Sequence, residues 1–200
     1  TPNGNWPTDD VLVQETVKAM NATENQSDFV YTITVEGHGD YPTEKLLENP
    51  DILVSGAADE ASNNQWEYYV NMIHEVDDFI GDLITAVDRR GEDTIIVFFG
   101  DHLPTMGLTD ADMKSGDIFK TKYITWNNMG LAKKDADLTA YQLLAHITDQ
   151  AGIHEGTMFR YHQTQTASET YLSGLEDLQY DLLYGKRYTA ERTATLHPTL

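Results

Sequence analysis

The sequence predicts an α/β fold, a mainly parallel sheet flanked by helices. Three observations carry that expectation. Phe29-Val-Tyr-Thr-Ile-Thr-Val35 is a β-branched and aromatic run closed by Gly37, the composition of a strand. From Asn63 to Arg90, Trp66, Tyr69/Val70, Ile73, Val76/Asp77, Ile80, Leu83/Ile84 and Val87 step by three and four, the stripe of a long amphipathic helix. Thr94-Ile-Ile-Val-Phe-Phe99 is a continuous apolar run, as in a strand buried on both faces. Strand, long helix and strand in that order make a βαβ unit, whose two strands run parallel.

The remaining elements follow in order. Thr8 is an N-cap candidate for a helix to Met20, with Val11, Val13, Val17 and Met20 on one face. Asn21 to Gln26 reads as a polar turn, and Gly37 to Ala61 as a loop holding Pro42, Pro50 and Gly56. Arg89 and Arg90 suit the C-terminal dipole of the long helix, and Gly91 suits its C′ position. Lys122 to Trp126 is a third strand. Leu138 to Gln150 is a helix stopped by Gly152, and Leu175 to Leu183 a helix stopped by Gly185. One domain over residues 1–188 and a tail over 189–200 are expected.

Composition bounds the function. The 200 residues hold 33 Asp+Glu against 13 Lys+Arg, a net charge of −20. Such a surface repels phosphate backbones and anionic lipid, so nucleic-acid binding is not expected. There is no cysteine, which removes disulfides, thiolate catalysis and Cys-based zinc sites. With 40% hydrophobic residues the chain can build a core, yet no apolar run reaches the length of a membrane span.

Two predicted strands end in Gly-bracketed polar turns that carry histidine: Glu36-Gly37-His38-Gly39-Asp40 and Gly100-Asp101-His102-Leu103-Pro104. Ligands of open α/β sheets bind beyond the carboxyl ends of strands. Parallel strands would therefore bring His38, Asp101 and His102 together. A carboxylate oxygen beside a neutral imidazole suits Zn²⁺ or Mn²⁺. A bare Asp-His pair is also common as a turn cap beside a surface histidine. Asp77 falls on the apolar stripe, where a charge needs a partner. The expected partners are the backbone N–H groups of Gly100 to Leu103, with Asp77 holding that turn in shape. Of the other histidines, His74, His146, His154, His162 and His197 carry no ligand-like spacing, and G-x-S-x-G is absent.

The Phe29–Pro42 run with its histidine turn resembles lipoteichoic acid synthase-like members of the sulfatase family, in the alkaline phosphatase superfamily. So do Tyr68-Tyr69 to Asp77, Ile80-Gly81, Thr94 to Pro104, Trp126-Asn127-Asn128 and Gly152 to Met158, in the same order. The likeness covers roughly Trp6 to Tyr188. It implies an alkaline-phosphatase-like α/β fold in an extracytoplasmic, membrane-anchored bacterial metalloenzyme. It implies transfer of glycerol phosphate from phosphatidylglycerol to a threonine nucleophile at a Mn²⁺ centre, with Zn²⁺ or Mg²⁺ as alternative ions. Asp101 and His102 match metal ligands, and His38 matches a histidine that contacts the substrate phosphate.

Nothing in this chain matches the nucleophile or the glutamate ligand, which the resemblance places in an N-terminal half absent here. The chain is therefore expected to be the C-terminal part of such a domain. Alone it is expected to be inactive, to bind metal weakly or not at all, and to self-associate through uncovered apolar surface. The alternatives are a phosphodiesterase, a phosphoethanolamine transferase or a sulfatase of the same fold, and a non-catalytic binding module.

Overall fold

The computed structural model describes residues 1–2 and 4–188. The expected tail at 189–200 lies outside them. The chain divides into two compact units, Thr1–Met129 and Gly130–Leu200.

In the first unit, α1 spans Val11–Met20 and α2 spans Glu60–Asp88. β1 (Ile95–Phe99) pairs with β2 (Tyr123–Asn127). Helix α1 begins later than Thr8 suggests, with Asp10 at its N-cap; the Thr8 hydroxyl donates to the Asp10 carboxylate at 2.5 Å. Helix α2 begins three residues earlier than expected, because Asp59 accepts the Ser62 N–H at 2.8 Å and caps the first turn. Gly91 closes its far end at φ 68°, a left-handed conformation that favours glycine.

The buried face of α2 carries Tyr68, Met72, Phe79, Leu83 and Val87; Leu83 and Val87 lie on the expected stripe, whereas earlier in the helix the face is rotated by about one residue, to Tyr68, Met72 and Phe79. Polar groups cause the rotation. Asn71, on the buried side, accepts the Ile52 N–H at 3.0 Å and donates to the Ile52 carbonyl at 2.8 Å. Glu67 accepts the Val54 N–H at 3.3 Å. The loop expected at 37–61 is thus tied along α2 by side chains that imitate a ladder. Phe79, Leu83 and Val87 form the core, with Leu12, Val13 and Met20 of α1, Ile96 and Phe98 of β1, and Trp126 of β2 packed against them.

The parallel sheet is corrected. Among the described residues the sheet has two strands, and they are antiparallel, with Ile95 opposite Asn127 and Phe99 opposite Tyr123. The 29–35 run forms no strand. β-propensity places side chains on a pleated surface, but a ladder needs a neighbouring backbone at about 4.8 Å. Here the backbone N–H groups of Val35 and Glu36 go to the Asp9 side chain instead. Phe29, Tyr31 and Ile33 are 74%, 64% and 67% exposed, and Val30 and Thr34 beside them are exposed as well. β1 is only half-buried, so the two-sided burial read from its apolar run does not occur.

The second unit contains α3 (Ala140–Gln150), α4 (Thr157–Gln165) and α5 (Tyr171–Leu183). The sequence marks α3 and α5 but not α4. Their packing buries Ala145, Ile147, Leu175 and Leu178 around a polar centre. His162 Nδ1 lies 2.7 Å from the Tyr171 hydroxyl, which also accepts from Gln142 at 3.3 Å. His162 is buried, and burial pulls its pKa down, which favours the neutral imidazole.

Candidate active site

The two histidine turns meet. The rings of His38 and His102 sit with centroids 6.0 Å apart, nearly perpendicular, although the turns are far apart in sequence. Tyr31 reaches Phe99 at 6.4 Å between centroids. The run leading to His38 therefore passes the end of β1 and advances along the turn that follows it, without pairing with the strand.

Each turn has its own local cause. After β1 the chain is held to β2's approach: Gly100 N–H donates to the Lys122 carbonyl at 3.1 Å and Thr121 Oγ1 to the Gly100 carbonyl at 2.6 Å. Asp101 Oδ1 accepts the His102 N–H at 2.8 Å, and His102 Nδ1 lies 2.9 Å from the Leu103 carbonyl. In the neutral ring that contact makes Nδ1 the protonated nitrogen and puts the lone pair on Nε2. Nε2 is 3.6 Å from Asp101 Oδ1, and both side chains are exposed. In the other turn the His38 N–H donates to the Val35 carbonyl at 3.0 Å, and the Tyr41 hydroxyl to the Gly37 carbonyl at 3.0 Å. Gly37 packs on α2 so closely that a Cβ there would stand 2.9 Å from Ile73 Cδ1. Trp6 covers His38 edge-on, at 4.8 Å between ring centroids.

Asp101 and His102 have the donor types of a divalent-metal site, one hard oxygen and one imidazole nitrogen. Their number is short: among the described residues no group of three or more His, Asp or Glu is placed to hold a metal. The described residues therefore fit a metal in kind but do not complete a site.

Asp77 is corrected. It is exposed, on the face of α2 turned away from Phe79 and Leu83, because Asn71 and Glu67 set the rotation of the helix. The burial expected for it, and the bonds to the Gly100–Leu103 backbone that went with that burial, do not occur.

Sequence reasoning missed the best-anchored groups beside the site. Asp9 and Glu36 are 1% and 2% exposed. Asp9 accepts the Val35 N–H at 2.9 Å and the Glu36 N–H at 3.3 Å, and the Asp9 N–H donates to Glu36 Oε2 at 2.9 Å. The available signal was a glutamate placed directly between an apolar run and a glycine turn, where burial is expected and charge is costly.

A family model for sulfatases matches residues 1–178, and the chain belongs to the Sulfatase family. It is similar to a protein of Rhizobium meliloti (strain 1021) whose name gives it a provisional role in modifying cyclic β-1,2-glucan. The two are 25% identical over 239 aligned positions, taking in 98% of this chain and 37% of that protein. The chain thus spans little more than a third of the length of the curated relative it matches. No solved structure matches the chain. Among the described residues no helix is long and apolar enough to cross a membrane.

Proposed function

We propose that this chain carries the phosphate-facing edge of a metal-dependent phosphotransferase site of the lipoteichoic acid synthase type, acting as part of a longer, extracytoplasmic protein. The observation that carries the reading is the approach of His38 to His102. It joins the residue matched to phosphate contact with the pair matched to metal ligation. The exposed Nε2 of His102 and the Asp101 carboxylate are free to take an ion whose remaining ligands come from elsewhere, Mn²⁺ first and Zn²⁺ or Mg²⁺ as alternatives. When bound, such an ion stabilises charge on the phosphoryl oxygens and lowers the pKa of a hydroxyl nucleophile. His38, wedged against Trp6, holds a phosphodiester of the phosphatidylglycerol or teichoic-acid kind by hydrogen bonding and, when protonated, by charge.

The relative named for cyclic β-1,2-glucan modification favours a second reading within the same chemistry. The acceptor is then a carbohydrate hydroxyl rather than a polyglycerol chain.

The test uses the full-length gene product that contains this chain, supplied with Mn²⁺ and phosphatidylglycerol. Diacylglycerol release is expected. Asp101→Ala should lower turnover by about 10²-fold or more and His38→Ala by roughly 10- to 100-fold. Turnover of sulfate esters alone, or full activity in Asp101→Ala, overturns the proposal. Adding cyclic glucan separates the two acceptors.

A further inference from the structure

The turn that carries His38 is held by a carboxyl cluster that neither the family match nor the relative accounts for. Its bonds are reciprocal: the Asp9 carboxylate takes the backbone N–H groups of Val35 and Glu36, and Glu36 Oε2 takes the backbone N–H of Asp9. Two chain segments are clamped at one level. Three residues before Asp9 stands Trp6, and two after Glu36 stands His38, and these rings meet at 4.8 Å. The clamp therefore sets the alignment of His38 with the ring that covers it and, through that ring pair, its approach to His102.

One atom of the clamp lacks a partner among the described residues. Glu36 Oε1 is buried and no donor among them reaches it, whereas the exposed Glu75 of α2 lies within hydrogen-bonding reach of the Glu36 carboxyl. An ionised Glu36 would leave a buried acceptor orphaned beside a second carboxylate, a costly arrangement. A proton on Oε1 removes both defects by donating to Glu75. We propose that Glu36 is a positioning residue for His38, working in its neutral, protonated form with its proton shared to Glu75 and its other oxygen locked to Asp9. The importance of His38 rests on the proposed function; the lock itself does not.

The charged groups around Glu36 agree with this. Burial is the main cause that pushes its pKa up, to about 7, and the Glu75 carboxylate adds to it. The Asp9 N–H bond and the Thr1 ammonium act in the opposite sense. Asp9 is also raised, chiefly by burial and further by Glu36 and Asp10, against the pull of its two backbone N–H bonds. Near neutral pH the lock thus stands at its point of release. As pH rises, Glu36 ionises, the proton shared with Glu75 is lost and the two carboxylates repel, while the Asp9 N–H bond to Oε2 favours the ionised form.

The experiment is an NMR titration of the chain with carbon-13-labelled glutamate, following the Glu36 carboxyl from pH 4 to 9. A midpoint near 7 is expected, against the ordinary 4.5 of a glutamate. Glu75→Ala should move it down, because the proton's acceptor is gone. The Trp6–His38 ring cross-peak is read alongside. It should survive in Glu36→Gln, whose amide can accept from Asp9 and donate to Glu75, and vanish in Glu36→Ala. A wild-type midpoint at the ordinary value, or a cross-peak that persists in folded Glu36→Ala, overturns the proposal. If Glu36→Ala does not fold, Glu75→Ala decides: an unchanged midpoint overturns it. None of these readouts needs turnover, so a failure here is separable from a failure of the proposed chemistry.

Discussion

The polar centre around His162 in the second unit and the Asp9–Glu36 centre in the first are both buried, and they are completed by different means. In the second unit, Gln142 donates to Tyr171, Tyr171 and His162 share a hydrogen bond, and burial favours the neutral imidazole. In the first, Asp9 and Glu36 exchange backbone bonds, but one carboxylate oxygen stays without a donor among the described residues. The difference is one of proton count. An amide, a phenol and an imidazole bring enough protons to satisfy one another, whereas paired carboxylates bring only acceptors. A closed neutral network serves packing. An acceptor-rich one needs a proton from solvent, and so responds to pH beside the very turn that holds His38.

The largest expected effect breaks the frame on which the first centre rests. Phe79 is 4% exposed and lies in the core between α1, α2 and the two strands. Phe79→Ala should cost about 3–5 kcal/mol in urea unfolding and erase the Trp6–His38 cross-peak. Retention of that cross-peak would show that the histidine turns do not depend on the core beneath them.

A smaller effect sharpens the contrast directly. Glu36 has a raised pKa, so its contribution to stability is complete at low pH and lost as pH rises through about 7. His162 has a pKa lowered by burial, so its contribution is complete above its ordinary 6.5 and lost as pH falls below that. Intrinsically corrected amide protection should therefore fall with rising pH around Val35 and Glu36, and with falling pH in α3 to α5. Tyr171→Phe removes the partner of Gln142 Nε2 and His162 Nδ1 and should cost about 1–3 kcal/mol, measured by thermal melting at pH 7.5. Parallel pH slopes in the two units would break the comparison.

The smallest effect concerns Asp77. Being exposed on α2, it should tolerate Asp77→Asn with a change below about 0.5 kcal/mol. A larger loss in the urea midpoint would restore the anchoring role that its sequence position suggested.

Much was legible from residue order. The long helix, β1, β2, α3 and α5 all follow from periodicity, apolar runs and glycine stops, because these signals are local. The meeting of His38 with His102 was legible too, although the parallel pairing used to derive it is not what brings them together. Helix α4 escaped because Thr157–Gln165 is polar, with His162 and Tyr161 serving where apolar residues were sought. The Asp9–Glu36 clamp escaped because side-chain-to-backbone bonds across 26 or 27 residues leave no periodic trace.

The sequence by itself determined the strongly acidic surface, the absence of thiol chemistry, the positions of most helices and strands, and the two histidine turns that carry the family likeness. Each of these depends on composition or on spacing within a few residues. Tertiary structure alone decided that Phe29 to Val35 runs extended without a ladder, that α2 turns Met72 and Phe79 inward rather than Ile73 and Asp77, and that a glutamate is buried behind His38. Those outcomes depend on which distant group supplies a hydrogen bond: Asn71 to Ile52, Glu67 to Val54, Asp9 to Val35. A backbone N–H taken from water donates to whichever acceptor the fold brings near, and local propensity does not choose it.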